Sequence, residues 1–340
     1  APAATLSSIK SKQPPSTGTT RTVDMGLSSE LQMAVCAGGI YASYLGYGLL
    51  QEGIFKYSDA AGTRFNFTLT MLAIQCLANM LGAVAGQAIL GSPPAKNLPA
   101  TSLLKPAASF IGAMFCSNQA LQYVSYPVQA LAKSCKMVPV IAFQRLWFKK
   151  VYSLRDYLMV ALVTLGIIVF RYKAKGGENS AFGLVLLFGS LCLDGVTGPY
   201  QENVKKVHGA NGPQIMFYCN MWAFIFLVCA IVASGEYAES VPYILDPGNG
   251  ELLQMIAGFS VMSALGQNFI FMTLENFNAL ILTTVTTTRK CFTVAISVVY
   301  YGHKLTPTQY GGIALVVAGL ALELYGKYTK NRQQANNKHK

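Results

Sequence analysis

The sequence predicts an all-α, membrane-spanning protein, and three observations lead there. Over 340 residues the apolar fraction is 52% and the charged fraction 12%, where ordinary soluble domains carry roughly a quarter of charged residues. The few charges sit in clumps, which leaves about ten apolar stretches of about 18 to 25 residues, each long enough to cross a hydrocarbon core of about 30 Å. The ten-residue alternation of a transmembrane β-barrel is not seen.

The stretches lie near residues 31–52, 66–90, 103–124, 127–148, 155–171, 181–202, 213–234, 252–274, 278–301 and 308–326. Residues 1–29 are rich in Ser, Thr and Pro with no apolar core, which predicts a disordered tail and neither a signal peptide nor an anchor. Residues 328–340 predict a basic tail. Ten spans put both termini on one side, and the Lys/Arg bias selects that side. With a cytosolic N-terminus, roughly sixteen Lys/Arg fall in cytosolic segments and roughly six in the opposite loops. Lys149, Lys150 and Arg155 contribute, as do Lys327, Lys330, Arg332, Lys338 and Lys340. Both termini are therefore expected in the cytosol. The net charge of +12 is mostly this topology signal, and no nucleic-acid partner is expected, since basic nucleic-acid grooves belong to water-exposed folds.

All eight cysteines lie inside expected spans and none forms a CxxC. Small apolar packing residues are the simplest reading. No metal or cofactor is expected.

The chain repeats itself. "GYGLLQEGIFK" closes the first apolar stretch and "VTGPYQENVKK" closes the sixth, so that Gly48, Gln51, Glu52 and Lys56 fall on Gly198, Gln201, Glu202 and Lys206. The same offset of about 150 places Asn118 on Asn268. After a slip of about three residues, Lys136, Phe148, Tyr157 and Gly166 fall on Arg289, Tyr301, Tyr310 and Gly319. Collinear matches point to duplication, with halves at 30–176 and 177–327. Five spans per half is an odd number, so the second half must enter the membrane from the opposite face. The expectation is ten transmembrane helices in two inverted five-helix repeats, an architecture suited to alternating access.

Two stretches place cations deep in spans: "YPVQALAKSCKMVPV" with Lys133 and Lys136, and "LTTVTTTRKCFTV" with Arg289 and Lys290. A cation at a bilayer centre costs at least about 2.5–3.5 kcal/mol, which makes a functional site the default reading. Lys133 and Lys136 share one helix face, and Lys136 and Arg289 are repeat-related, so a single cationic cluster on the central axis is expected. Up to four positive charges match a diphosphate or triphosphate better than one carboxylate, with Arg289 supplying a planar fork and the lysines point charges. Asn118, Gln129, Gln267, Asn268 and Thr287 are candidate polar contacts to a sugar or base, together with Thr283, Thr284, Thr286 and Thr288. Thr in membrane helices also bonds its own backbone. Asp194, Glu52 and Glu202 are candidate gating residues: Asp194 beside Gly195, Gly198 and Pro199 as a bending element, the two glutamates as partners for the buried cations from opposite faces. Helix–helix ion pairing is the structural alternative for all of these charges.

"YVSYPVQALAKSCKMVPV", "GQNFIFMTLENFNAL" and "TTVTTTRKCFTV", together with the two Gln-Glu span ends, resemble the nucleotide-sugar transporter family of the drug/metabolite transporter superfamily. The branch most similar is the endoplasmic-reticulum UDP-galactose/UDP-glucose transporter-like group, a neighbour of the adenosine 3'-phospho 5'-phosphosulfate transporters. The resemblance covers all ten spans and implies exchange of a cytosolic nucleotide-activated substrate for a luminal nucleoside monophosphate. It implies that Lys133, Lys136, Arg289 and Lys290 face the phosphates. It also implies residence in the endoplasmic reticulum membrane. The family's retrieval signal pairs two C-terminal lysines, whereas Lys338 here follows Asn336 and Asn337, so a Golgi location stays open.

The leading expectation is an antiporter for UDP-galactose or UDP-glucose, with a UDP-sugar, a nucleoside monophosphate and the lipid bilayer as partners. An adenine-nucleotide exchanger for ATP/ADP or adenosine 3'-phospho 5'-phosphosulfate on the same scaffold is the alternative. A membrane-embedded transferase or scaffold is the alternative of another class. An enzyme needs a solvent-facing His/Asp/Glu constellation, against which His208, His303 and His339 are scattered and the loops poor in acids. Base, sugar, stoichiometry and oligomeric state are not legible in the sequence.

Overall fold

A computed structural model describes residues 28–90, 95, 98–134, 141, 153–172, 181–277, 279–300 and 306–338. Within them lie eleven α-helices: α1 (Ser29–Lys56), α2 (Thr68–Leu90), α3 (Leu104–Gln119), α4 (Tyr126–Ser134), α5 (Leu154–Tyr172), α6 (Ala181–His208), α7 (Gly212–Ser234), α8 (Tyr237–Leu245), α9 (Gly250–Asn276), α10 (Ala279–Tyr300) and α11 (Pro307–Lys338). The sole extended pairing among the described residues is one antiparallel bridge, Ser58 to Arg64, in the turn between α1 and α2. Gly62 takes a positive φ of 82° in that turn, a conformation side chains other than glycine's disfavour.

Six of these helices are long and apolar enough to cross a membrane: α1, α2, α6, α7, α9 and the first part of α11. Their polarity is inverted relative to a soluble fold. On α2, Leu77, Leu81 and Val84 are exposed at i, i+4 and i+7, one continuous stripe on the helix surface. Gln75 and Asn79 on the same helix are buried. Apolar side chains facing out and amides facing in is the arrangement that lipid selects, because hydrocarbon offers amides no hydrogen bonds.

Several boundaries differ from the sequence expectation. α1 continues past Glu52 to Lys56, and α6 continues past Glu202 to His208. In both helices an ion pair between residues four apart, Glu52 to Lys56 at 2.8 Å and Glu202 to Lys206 at 2.6 Å, supports the extra turn. α6 carries Pro199 in its interior, which removes one N–H from the helix ladder. The third stretch is an α-helix between two 3₁₀ turns, Ala100–Leu103 and Ala120–Gln122. α8 is a helix the hydropathy reading missed. α11 runs to Lys338, so part of the expected basic tail continues the last helix. Arg155 on α5 fastens this extension, donating to the Thr329 hydroxyl at 2.9 Å and lying 5.1 Å from the Tyr325 ring centre. Residues 1–27, the expected disordered tail, lie outside the described residues.

Helix ends follow local chemistry. Asn211 and Gln214 form a reciprocal capping box at the start of α7, with Pro213 in its first turn, and Gly235 ends it at φ 72°.

Two apolar cores hold the bundle. One gathers Ile54, Phe65, Leu72, Phe259 and Leu252 from the α1, α2 and α9 side. The other gathers Val128, Val163, Leu187, Val316 and Leu320 from α4, α5, α6 and α11. The most extensive helix pairs are α5 with α11, α1 with α9, α2 with α7 and α3 with α6. The α5–α11 seam is tight. A Cβ on Gly166 would stand 2.7 Å from the Gly312 carbonyl oxygen, and one on Gly319 would meet Val163 and lie 3.2 Å from the Met159 carbonyl oxygen. Small residues let two helix backbones approach in this way.

Candidate functional site

A cavity of about 290 Å³ opens between the two cores. Its walls come from seven helices: Tyr44, Tyr47 and Gln51 of α1, Gln75 of α2, Phe110 and Met114 of α3, Tyr126, Gln129 and Lys133 of α4, Asp194 of α6, Ser263 and Gln267 of α9, and Arg289 and Thr293 of α10. Of the four expected phosphate ligands, the structure brings Lys133 and Arg289 together here. Lys136 lies outside the described residues, as does the side chain of Lys290.

Arg289 is the centre of the site. It sits at the middle of α10, with its guanidinium carbon 4.5 Å from the Tyr44 ring centre. A cation over a desolvated aromatic face gains about 2 kcal/mol, which offsets part of the burial cost. The Nε–H of Arg289 is buried and has no hydrogen-bond partner among the described residues. An orphaned cationic donor in a cavity wall is a ready anion site.

α1 supplies an aromatic face. Tyr41, Tyr44 and Tyr47 recur every three residues. Tyr41 hydrogen-bonds Thr288 one residue before the arginine, and Tyr47 stacks on Phe259 with ring centres 4.3 Å apart. Gly48 lies on the same helix, where any Cβ would collide with the Tyr126 hydroxyl. That close approach calls for glycine at this position. The tyrosines escaped sequence reading because tyrosine is common along this chain, and the available signal was their three-residue spacing facing a charged span.

The amides divide into two groups. Gln129 lines the cavity and donates to the Ser117 carbonyl at 2.7 Å and hydroxyl at 3.0 Å, while Gln267 lines it from α9. Asn118, Asn268 and Thr287 are not among the lining residues. Asn118 accepts from Gln51 at 2.6 Å and donates to the Met114 carbonyl. Asn268 donates to the Gly82 and Ala264 carbonyls, both at 2.9 Å, tying α9 to α2. Thr287 is buried. Thr286 and Thr288 donate to carbonyls of their own helix, as threonines in membrane helices often do. The side chain of Thr283 is outside the described residues.

The acids are placed unequally. Asp194 lines the cavity. Glu52 is 2% exposed and paired with Lys56, and it is the adjacent Gln51 that lines the cavity. Glu202 is 64% exposed, paired with Lys206, and lines a separate opening of about 210 Å³ between α6, α7 and α9.

Residues 32–327 match the UAA transporter family. The chain is 36% identical over 317 residues to solute carrier family 35 member B1 of Dictyostelium discoideum, covering 90% of this chain and 80% of that relative. It is 36% identical to the protein of the same name from Xenopus tropicalis, covering 89% and 96%, and 37% identical to that from Gallus gallus, covering 88% and 94%. A solved crystal structure of a protein aligns with 87% of this chain and 97% of its own at TM-score 0.55 and 10% identity, a likeness of fold alone. The chain therefore belongs to the UAA transporter family, nucleotide-sugar transporters of the drug/metabolite transporter superfamily, and is a transporter and not an enzyme.

Proposed function

We propose that the chain is an alternating-access antiporter that carries a nucleotide sugar, with UDP-galactose or UDP-glucose leading, from the cytosol to the lumen of the secretory pathway in exchange for a nucleoside monophosphate. The observation that carries this reading is the orphaned, buried Arg289 donor sharing a cavity with Lys133. In this reading Lys136 and Lys290 complete the phosphate cluster, and Gln129 and Gln267 hold the sugar or base. The cavity volume lies near the lower edge of the about 300–1,000 Å³ usual for small-molecule sites.

Two inverted five-helix repeats, α1–α5 with the segment after α4, and α6–α11 with α8 as an insertion, are part of the proposal. Helix packing supports them. Exchanging the halves turns the α1–α9 pair into α6–α3, and α2–α7, α4–α10 and α5–α11 into themselves. Gly166 and Gly319, repeat-related in sequence, face each other's helices across the last of these seams. With both termini cytosolic in the endoplasmic reticulum membrane, the buried Glu52 end is luminal and the exposed Glu202 end cytosolic. The structure then corresponds to a cytosol-open state, its luminal side held by the Gln51–Asn118 bond and by Glu52. Asp194, beside Pro199, is the element on which the cytosolic half bends.

Counterflow in proteoliposomes tests the cargo. UDP-hexoses and uridine nucleotides are expected to compete with labelled UDP-galactose, and ATP and adenosine 3'-phospho 5'-phosphosulfate to leave its exchange unchanged. Competition by adenine nucleotides alone would replace the leading cargo with the adenine one.

The gates have their own test. Glu52→Gln is expected to raise labelling of cysteines placed at the α1 C-terminal end, and Glu202→Gln to leave that end unchanged while altering labelling at the α6 end. Equal changes at both ends in both variants would count against two separate gates.

A further inference from the structure

The cavity is lined by uncharged polar side chains as well as by cations. Lys133 and Arg289 come from α4 and α10, which pack on each other, and Gln75 and Ser263 from α2 and α9, a second packed pair. Gln75 is 2% exposed and its Nε2 donates to the Ser263 hydroxyl at 2.7 Å. That bond ties α2 to α9, and the same amide meets the Tyr47 side chain. The other amide atom, the carbonyl Oε1, is buried and has no partner among the described residues. An amide acceptor left unpaired in a buried site costs about 1–3 kcal/mol, a cost that leucine at this position avoids. A ligand that brings a donor to Oε1 removes it.

The surroundings say which donor. Phosphate oxygens are acceptors and are drawn to Arg289 and Lys133, so the Gln75 carbonyl needs the uncharged part of the substrate. Tyr47, Phe110 and Met114 line the same cavity. Tyr47 is held by its stack on Phe259, and rings with a thioether suit a flat heterocycle better than a hydroxyl-studded hexose. We propose that Gln75 is a specificity-determining residue whose carbonyl accepts a hydrogen bond from an N–H of the nucleobase, seated between Tyr47 and the Phe110–Met114 wall. This rests on the nucleotide reading above and adds the orientation: base toward α2 and α9, phosphates toward α4 and α10.

The test changes the substrate one atom at a time. Full-length protein in proteoliposomes is loaded for exchange of labelled UDP-galactose, with UDP or its N3-methyluridine analogue as competitor. The second arm uses labelled ADP, with ADP or its N6,N6-dimethyl analogue as competitor. In the arm that supports exchange, the methylated competitor is expected to be weaker by about ten-fold or more, since a site built around a substrate N–H rejects the analogue lacking it. Gln75→Leu should bring that ratio towards one, and Gln75→Glu, which keeps an acceptor, should preserve discrimination. Equal competition by methylated and unmethylated forms in the wild-type protein, a measurement needing no variant, overturns the proposal. So does a Gln75→Leu protein that loses affinity for UDP-galactose but not for UDP, which assigns the acceptor to the sugar. Exchange in neither arm overturns the nucleotide reading itself and the inference with it, an outcome distinct from equal competition.

Discussion

Replacing Arg289 by alanine is expected to reduce nucleotide-sugar exchange by about 100-fold. The magnitude follows from the donor it removes: a hydrogen bond to a charged group contributes about 1.5–3 kcal/mol, and each 1.4 kcal/mol is about ten-fold in affinity. Arg289 sits at the centre of α10 with an Nε–H unpaired among the described residues and a guanidinium over Tyr44, so no described neighbour replaces it in that position. Lys133→Ala should produce a smaller loss, because a lysine acts as a point charge without the planar fork. Arg289→Lys should fall between wild type and alanine for the same reason. Stability should survive these changes. Removing a buried cation also removes its desolvation cost, so the melting temperature of Arg289→Ala in detergent is expected to equal or exceed that of the wild type. Proteoliposome exchange measured beside thermal melting separates the two effects. Wild-type exchange in Arg289→Ala would remove the arginine from the transport site.

Leucine in place of Gly166 or Gly319 is expected to destroy the folded protein in most of the population. A Cβ on Gly166 comes within hard contact of the opposite backbone, and one on Gly319 within hard contact of the Val163 side chain with backbone 3.2 Å away. Four additional carbons must push α5 and α11 apart along the most extensive helix pair among the described residues. Overpacking in a close-packed interior typically costs about 1–3 kcal/mol, and more where backbone is the obstacle. Both variants should lose most of their monodisperse yield in detergent, because each glycine sits where α5 and α11 pack on each other. Gly311→Leu is the control. A Cβ there meets nothing within 4 Å among the described residues, so its yield should match wild type. Normal yield from both Gly166→Leu and Gly319→Leu would show that the helices do not approach as described.

Much of the site was legible because charge in an apolar stretch is costly and therefore conspicuous. Lys133, Arg289 and Asp194 stood out for that reason and line one cavity. Gln129 and Gln267 were found through their neighbourhood to the cationic motifs. Asn118, Asn268 and Thr287 satisfied the same pattern but do not line the cavity: Asn118 bonds Gln51 and Asn268 bonds the Gly82 carbonyl. A polar residue on a membrane helix can serve either a ligand or a neighbouring carbonyl, and spacing along one helix does not say which. Gln75, Ser263 and the Tyr44–Tyr47–Tyr126 group were missed, since amides and tyrosines carry no charge to mark them.

Composition and apolar run length by themselves determined that the chain is helical and membrane-spanning, because lipid demands that every backbone group be satisfied within the segment. The motifs determined the transporter family. Only the tertiary structure decided which side chains share a cavity. It buried Glu52 while leaving its counterpart Glu202 exposed, a difference invisible in two nearly identical motifs. The physical reason is that hydropathy and insertion cost act on each helix alone, whereas the rotation of one helix against six others is settled by close contacts such as Gly48 with Tyr126 and Gly166 with Gly312.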